Sequence, residues 1–70
     1  MNYYIVNNNS TYNPELHHEV HTIEHADQLG ISNRKSLGFF VDEVGAVQWA
    51  KNFYTDADGC AVCCPKAHRG

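Results

Sequence analysis

Apolar residues fall in short runs separated by polar turns, and the period of each run points to an element. Tyr3, Tyr4, Ile5 and Val6 form a β-favouring run that stops at Asn7-Asn8-Asn9-Ser10, where asparagine and serine favour a turn. Residues 13–30 carry two patterns at once. Asn13-Pro14-Glu15 suits the start of a helix, Leu16, Val20 and Ile23 fall at helical spacing, and Gly30 suits its end. The same stretch also reads as a strand around Val20 and Ile23. His17, His21 and His25 share a face under either period, because a spacing of four suits both. Residues 30–36 (GISNRKS) read as a loop and Leu37–Val41 as a short strand. Asp42 then caps a helix running to about Tyr54, with Ala46, Trp49, Ala50 and Phe53 on one stripe that Val44 and Val47 extend. Gly45 costs that helix roughly 1 kcal/mol against alanine and suits a close approach to a sheet. Residues 55–59 (TDADG) form a turn, and the tail CAVCCPKAHRG follows.

Composition narrows the class. A chain of 70 residues, 43% hydrophobic and 19% charged, is expected to form one globular domain over residues 1–70. A core of this size often needs a metal, a disulfide or a partner as reinforcement. No apolar run approaches the roughly 20 residues that span a bilayer, and the first residues lack the features of a secretory leader. No membrane association and a cytoplasmic location are therefore expected. The net charge is −3, and Glu15, Glu19, Glu24 and Asp27 all precede the first basic residue, Arg34. Only Lys66 and Arg69 make the tail locally basic, which disfavours a nucleic-acid partner. A protein partner of unassigned identity is the expectation that remains.

The candidate chemistry lies in two clusters. HHEVHTIEH, residues 17–25, places four histidines in nine positions. The three cysteines, Cys60, Cys63 and Cys64, crowd into the tail, and their odd number argues against a disulfide framework. Cys60-x-x-Cys63 has the spacing of a zinc knuckle, in which a tight turn presents two thiolates to one tetrahedral ion. Two thiolates with His21 and His25, or with His25 and His68, complete a Cys2His2 set. Adjacent cysteines rarely bind the same ion, so one of Cys63 and Cys64 is expected to pack or remain a spare thiol. Small buried cysteines also fill cores without binding anything, and His17 and His18 read as a solvated face. Thioredoxin-like redox chemistry needs Cys-x-x-Cys at a helix start after a strand, whereas this motif follows the long helix. Asp56-x-Asp58-Gly59 has its glycine too early for a calcium loop. A cysteine–histidine catalytic pair would leave little room for both a pocket and a core in so short a chain.

Taken in order, YYIVNN, HEVH, LGFF, AKNFY and DGCAVCCPKAH resemble a family of very small uncharacterised bacterial proteins. The family pattern runs from a tyrosine-rich first strand through HEVH and LG-x-F to DGC-x-x-CC-x-x-CH, and the likeness covers essentially the whole chain. The resemblance implies that HEVH is the second strand of an antiparallel pair, so residues 18–24 are expected to be a strand. It also marks three departures: His25, Glu43 and Ala67 stand where the pattern has cysteine. Imidazole and carboxylate still bind zinc, and a methyl group does not. The short strands, helix and Cys-x-x-Cys are also similar, at the level of fold, to the zinc-binding module of DNA-alkylation repair proteins.

The expected architecture is α+β. A three-stranded, mostly antiparallel sheet (about 2–7, 18–24 and 36–41) packs one main helix (about 43–54), and a cysteine-bearing turn with a short terminal helix follows. The expected core is Tyr4, Val6, Val20, Leu37, Phe39 or Phe40, Val47, Ala50 and Phe53. The expected function is a metal-stapled binding or interaction module, with zinc as the candidate ion and Cys60, Cys63, His25, His21 and His68 as candidate ligands. The alternative is a metal-free adaptor or regulatory protein with reactive thiols. A nucleic-acid-directed enzyme ranks below both.

Overall fold

The computed structural model describes residues 1–9, 11–12 and 16–68. Its elements follow the chain as β1 (Asn2–Asn7), β2 (Thr11–Tyr12), β3 (Leu16–His17), β4 (Glu19–Thr22), α1 (Ile23–Gln28), β5 (Arg34–Phe40), α2 (Glu43–Ala50), β6 (Asp58–Gly59) and a 3-10 turn at Pro65–Ala67. The fold is α+β, as the sequence implies. The main sheet has four strands in the order β5-β1-β4-β6, and β2 pairs with β3 in a second, two-stranded sheet. β1 runs antiparallel to both β4 and β5, while β6 runs parallel to β4. No helix among the described residues is long and apolar enough to cross a membrane.

The fourth strand is the main departure from the expected three. Asp58 and Gly59 have poor strand propensity and read locally as a turn. They become a strand because their backbone has partners: Asp58 N–H donates to His18 O and Cys60 N–H to Val20 O, both at 3.0 Å. β4 is thereby a central strand covered on both faces, and Glu19, Val20 and His21 are all buried. That removes the alternation of apolar and polar residues that identifies a half-buried strand.

Residues 18–24 are not one strand. The chain leaves β4 at Thr22, whose hydroxyl accepts the His25 N–H at 3.3 Å and caps α1. Helix α1 ends at Gly30, which has a φ of +71°. Gly30 N–H bonds Asp27 O and Ile31 N–H bonds Ala26 O, the paired bonds of a glycine-terminated helix. The helical and extended readings of this stretch are thus both realised, one after the other. A helix start at Asn13-Pro14-Glu15 lies outside the described residues. β5 begins earlier than expected, at Arg34, and a register shift opposite Tyr4 and Ile5 makes Leu37 an extra residue that stays buried.

The core lies between the sheet and α2. Tyr4, Val6, Val20 and Leu37 meet Ala46, Val47 and Ala50, and Phe40 and Tyr54 pack against them. The buried stripe of α2 is rotated from the expected one. Trp49 and Phe53 are about half exposed, and Phe39 is exposed. Alanines at the contact bring the helix close to the sheet, so the large rings are left on the flank. There Trp49 meets Phe53 edge-on at 5.9 Å, and Lys35 Nζ sits 4.6 Å from the Phe53 ring centre.

Gly59 is where the tail closes on the sheet. A Cβ at this position would lie 2.7 Å from Cys64 O and 2.9 Å from Ala67 Cβ. Gly59→Ala should therefore destabilise the fold by about 1–3 kcal/mol, the usual cost of overpacking. Val62→Ala, at an exposed position of the same tail, should stay within about 0.5 kcal/mol. Urea unfolding of the two variants checks this, and equal midpoints would mean the tail is not packed as described.

Candidate metal centre

Four side chains converge where β4, α1 and the tail meet. His21 comes from β4, His25 from the first turn of α1, and Cys60 and Cys63 from the turn after β6. Their ligand atoms all lie within 4.8 Å of one another. A tetrahedral zinc ion with bonds of about 2.3 Å to sulfur and about 2.0 Å to nitrogen separates its ligand atoms by about 3.3–3.8 Å. Movements of about 1 Å in the side chains close the widest pair to that spacing. His21 Nδ1 and Cys63 Sγ are already 3.7 Å apart.

Each ligand is placed by local structure. The parallel register sets Glu19 beside Asp58 and Val20 beside Gly59, so the next step brings Cys60 alongside His21. The Thr22 cap turns the chain so that the His25 ring lies over that of His21, with centroids 5.6 Å apart and planes 19° from parallel. Cys64 N–H donates to Cys60 O at 2.8 Å, which closes the turn and swings Cys63 back. The backbone N–H groups of Cys63 and Val62 face the Cys60 sulfur, and the Thr22 N–H faces that of Cys63. Such donors favour thiolates.

The three thiols differ. Cys63 is pulled well below the usual thiol range, chiefly by its contact with Cys64 and also by His21, against the effect of burial. Cys64 is pushed up by the contact with Cys63 and by burial. Burial also raises Cys60. Cys64 has no solvent exposure and belongs to the hydrophobic core. Of the adjacent pair, Cys63 lies in the cluster and Cys64 packs.

The remaining sequence candidates lie elsewhere. His68 Nδ1 pairs with Gly59 O at 2.9 Å, so the ring secures the tail and is not one of the four converging residues. Glu43 Oε2 accepts the Lys66 N–H at 3.3 Å, which ties the tail to the start of α2. His18 is not on a solvated face. Its Nδ1 pairs with Asp56 Oδ1 at 2.7 Å, and its ring stacks on Tyr54 at 3.8 Å. Glu19 is a neighbour of the centre that motif spacing alone does not single out. Its carboxylate is buried, with Oε1 3.5 Å from His21 Nε2. The signal was its position two residues before His21, which on a strand means the same face.

No family profile, curated protein sequence or solved structure matches this chain.

Without metal, iodoacetamide should modify Cys63 first and leave Cys64 unreacted until the protein unfolds, because reactivity follows thiolate character and access. Peptide mapping after timed alkylation reads the order. Early labelling of Cys64 would contradict its buried, protonated state.

Proposed function

We propose that this chain is a small binding or interaction module stapled by zinc held between His21, His25, Cys60 and Cys63. The observation that carries the reading is the convergence of these four ligand atoms from two distant segments of the chain. The donor set supports it, since two imidazoles and two thiolates suit a closed, four-coordinate structural site. The energetics support it as well. A chain of 70 residues buries little apolar surface, and an ion binding only the folded state adds directly to stability. The resemblance to the small bacterial family fits too: His25 replaces the cysteine of that pattern at a position where it still offers a ligand. For the interaction role, the exposed Phe39, Val41 and Val62 offer apolar surface to a protein partner. A metal-free adaptor with reactive thiols is the second reading, favoured by the thiolate character of the partly exposed Cys63.

Native mass spectrometry of freshly purified protein, before and after chelator, separates the two. One zinc per chain is expected, and its removal should broaden the charge-state distribution. Saturating zinc should add about 3–4 kcal/mol of stability at 100 to 1,000 times its Kd. Cys60→Ser should abolish most of that gain. A well-folded, metal-free chain that takes up no added zinc would rule the zinc reading out.

A further inference from the structure

His21 has two ring nitrogens, and its neighbours distinguish them. Nδ1 faces Cys63 Sγ at 3.7 Å, toward the other ligands. Nε2 has the buried Glu19 carboxylate beside it, with Oε1 at 3.5 Å. Both side chains are almost fully enclosed, His21 at 1% and Glu19 at 8% exposure, so water does not compete freely for either group. In a neutral imidazole one nitrogen carries the proton and the other the lone pair, and the partner of the first decides which is free to bind metal. A carboxylate accepts and cannot donate when ionised. Its presence at Nε2 therefore favours the tautomer with the proton on Nε2 and the lone pair on Nδ1.

From this geometry we infer that Glu19 is the positioning residue of the metal centre, orienting His21 so that it binds the ion through Nδ1. The inference rests on the zinc reading and adds to it a residue that touches no ion. Glu19 and His21 stand two apart on β4, so the strand itself holds the carboxylate and the ring on one side. Pairing between β4 and β6 then fixes both relative to Cys60. A carboxylate in this place also makes the imidazole a stronger donor to the metal.

The test measures zinc affinity, by competition with a chromophoric chelator, for the unaltered chain, Glu19→Gln and Glu19→Ala. Long-range 1H–15N NMR reads the His21 tautomer in the zinc-loaded chain. The expected result is a His21 bound through Nδ1 with Nε2 protonated. Glu19→Ala should lose about 10–100-fold in affinity, the usual effect of removing such a partner. Glu19→Gln, which keeps an acceptor oxygen at nearly the same volume, should recover part of that loss. If Glu19→Ala does not fold, Glu19→Gln and the tautomer decide. A zinc-loaded chain with His21 bound through Nε2, or Glu19 variants that bind as tightly as the unaltered chain, would overturn the role of Glu19 and leave the zinc reading standing. No zinc uptake by the unaltered chain would remove both.

Discussion

The parallel pairing of β6 with β4 is the constraint on which the rest depends. Two backbone hydrogen bonds, from Asp58 to His18 and from Cys60 to Val20, join segments about forty residues apart. They turn β4 into a central strand, bury Glu19 and His21, and set Cys60 beside the histidines. The tail is then held by two contacts on β6, the Cys64 and Ala67 backbone over Gly59 and the His68 ring on the Gly59 carbonyl, and by a third on α2, Glu43 on the Lys66 amide.

The pairing carries a cost. It draws Glu19, His21 and Asp58 out of water together, and burying polar groups is unfavourable unless they are paired or coordinated. Apolar packing on the α2 side, rich in alanine and valine, supplies the opposing gain. Glu19 and Asp58 flank the segments that carry His21 and Cys60, so the buried acids lie close to the candidate ligands. On the flank of the sheet, the His18 ring between Asp56 and Tyr54, with the Tyr54 hydroxyl donating to Asn8 at 2.7 Å, secures the chain leading into β6.

Much of this was legible in the residues, and the limits have physical causes. β1 and α2 announce themselves through YYIV and through Asp42 as a cap. The site was legible as a set of candidates, because Cys-x-x-Cys and HEVH have ligand spacing whatever the fold. That His21 and His25, and not His68, converge on the cysteines is set by tertiary contacts, since the fold turns the His68 ring to the Gly59 carbonyl. The turn from β4 into α1 was obscured because strand and helix signals overlap between Val20 and Ile23, and each is right for only part of the stretch. β6 was not legible at all. Its two residues have no preference for a strand and are held there by the carbonyls of a distant neighbour. The aromatic stripe misled for a simple reason: size suggests burial, but the small faces of Ala46 and Ala50 were what the close helix contact required.

The separation of the ligands along the chain also has a kinetic meaning. His21 and His25 adjoin each other at the turn from β4 into α1, so their half of the centre is organised by local contacts and forms quickly. The thiol half arrives only after β5 and α2 have intervened, and joining it closes a long loop whose entropy must be lost before any bond repays it. The thiol half therefore joins the histidines only when the tail pairs with β4, which makes closure of the tail the step that brings the four side chains together.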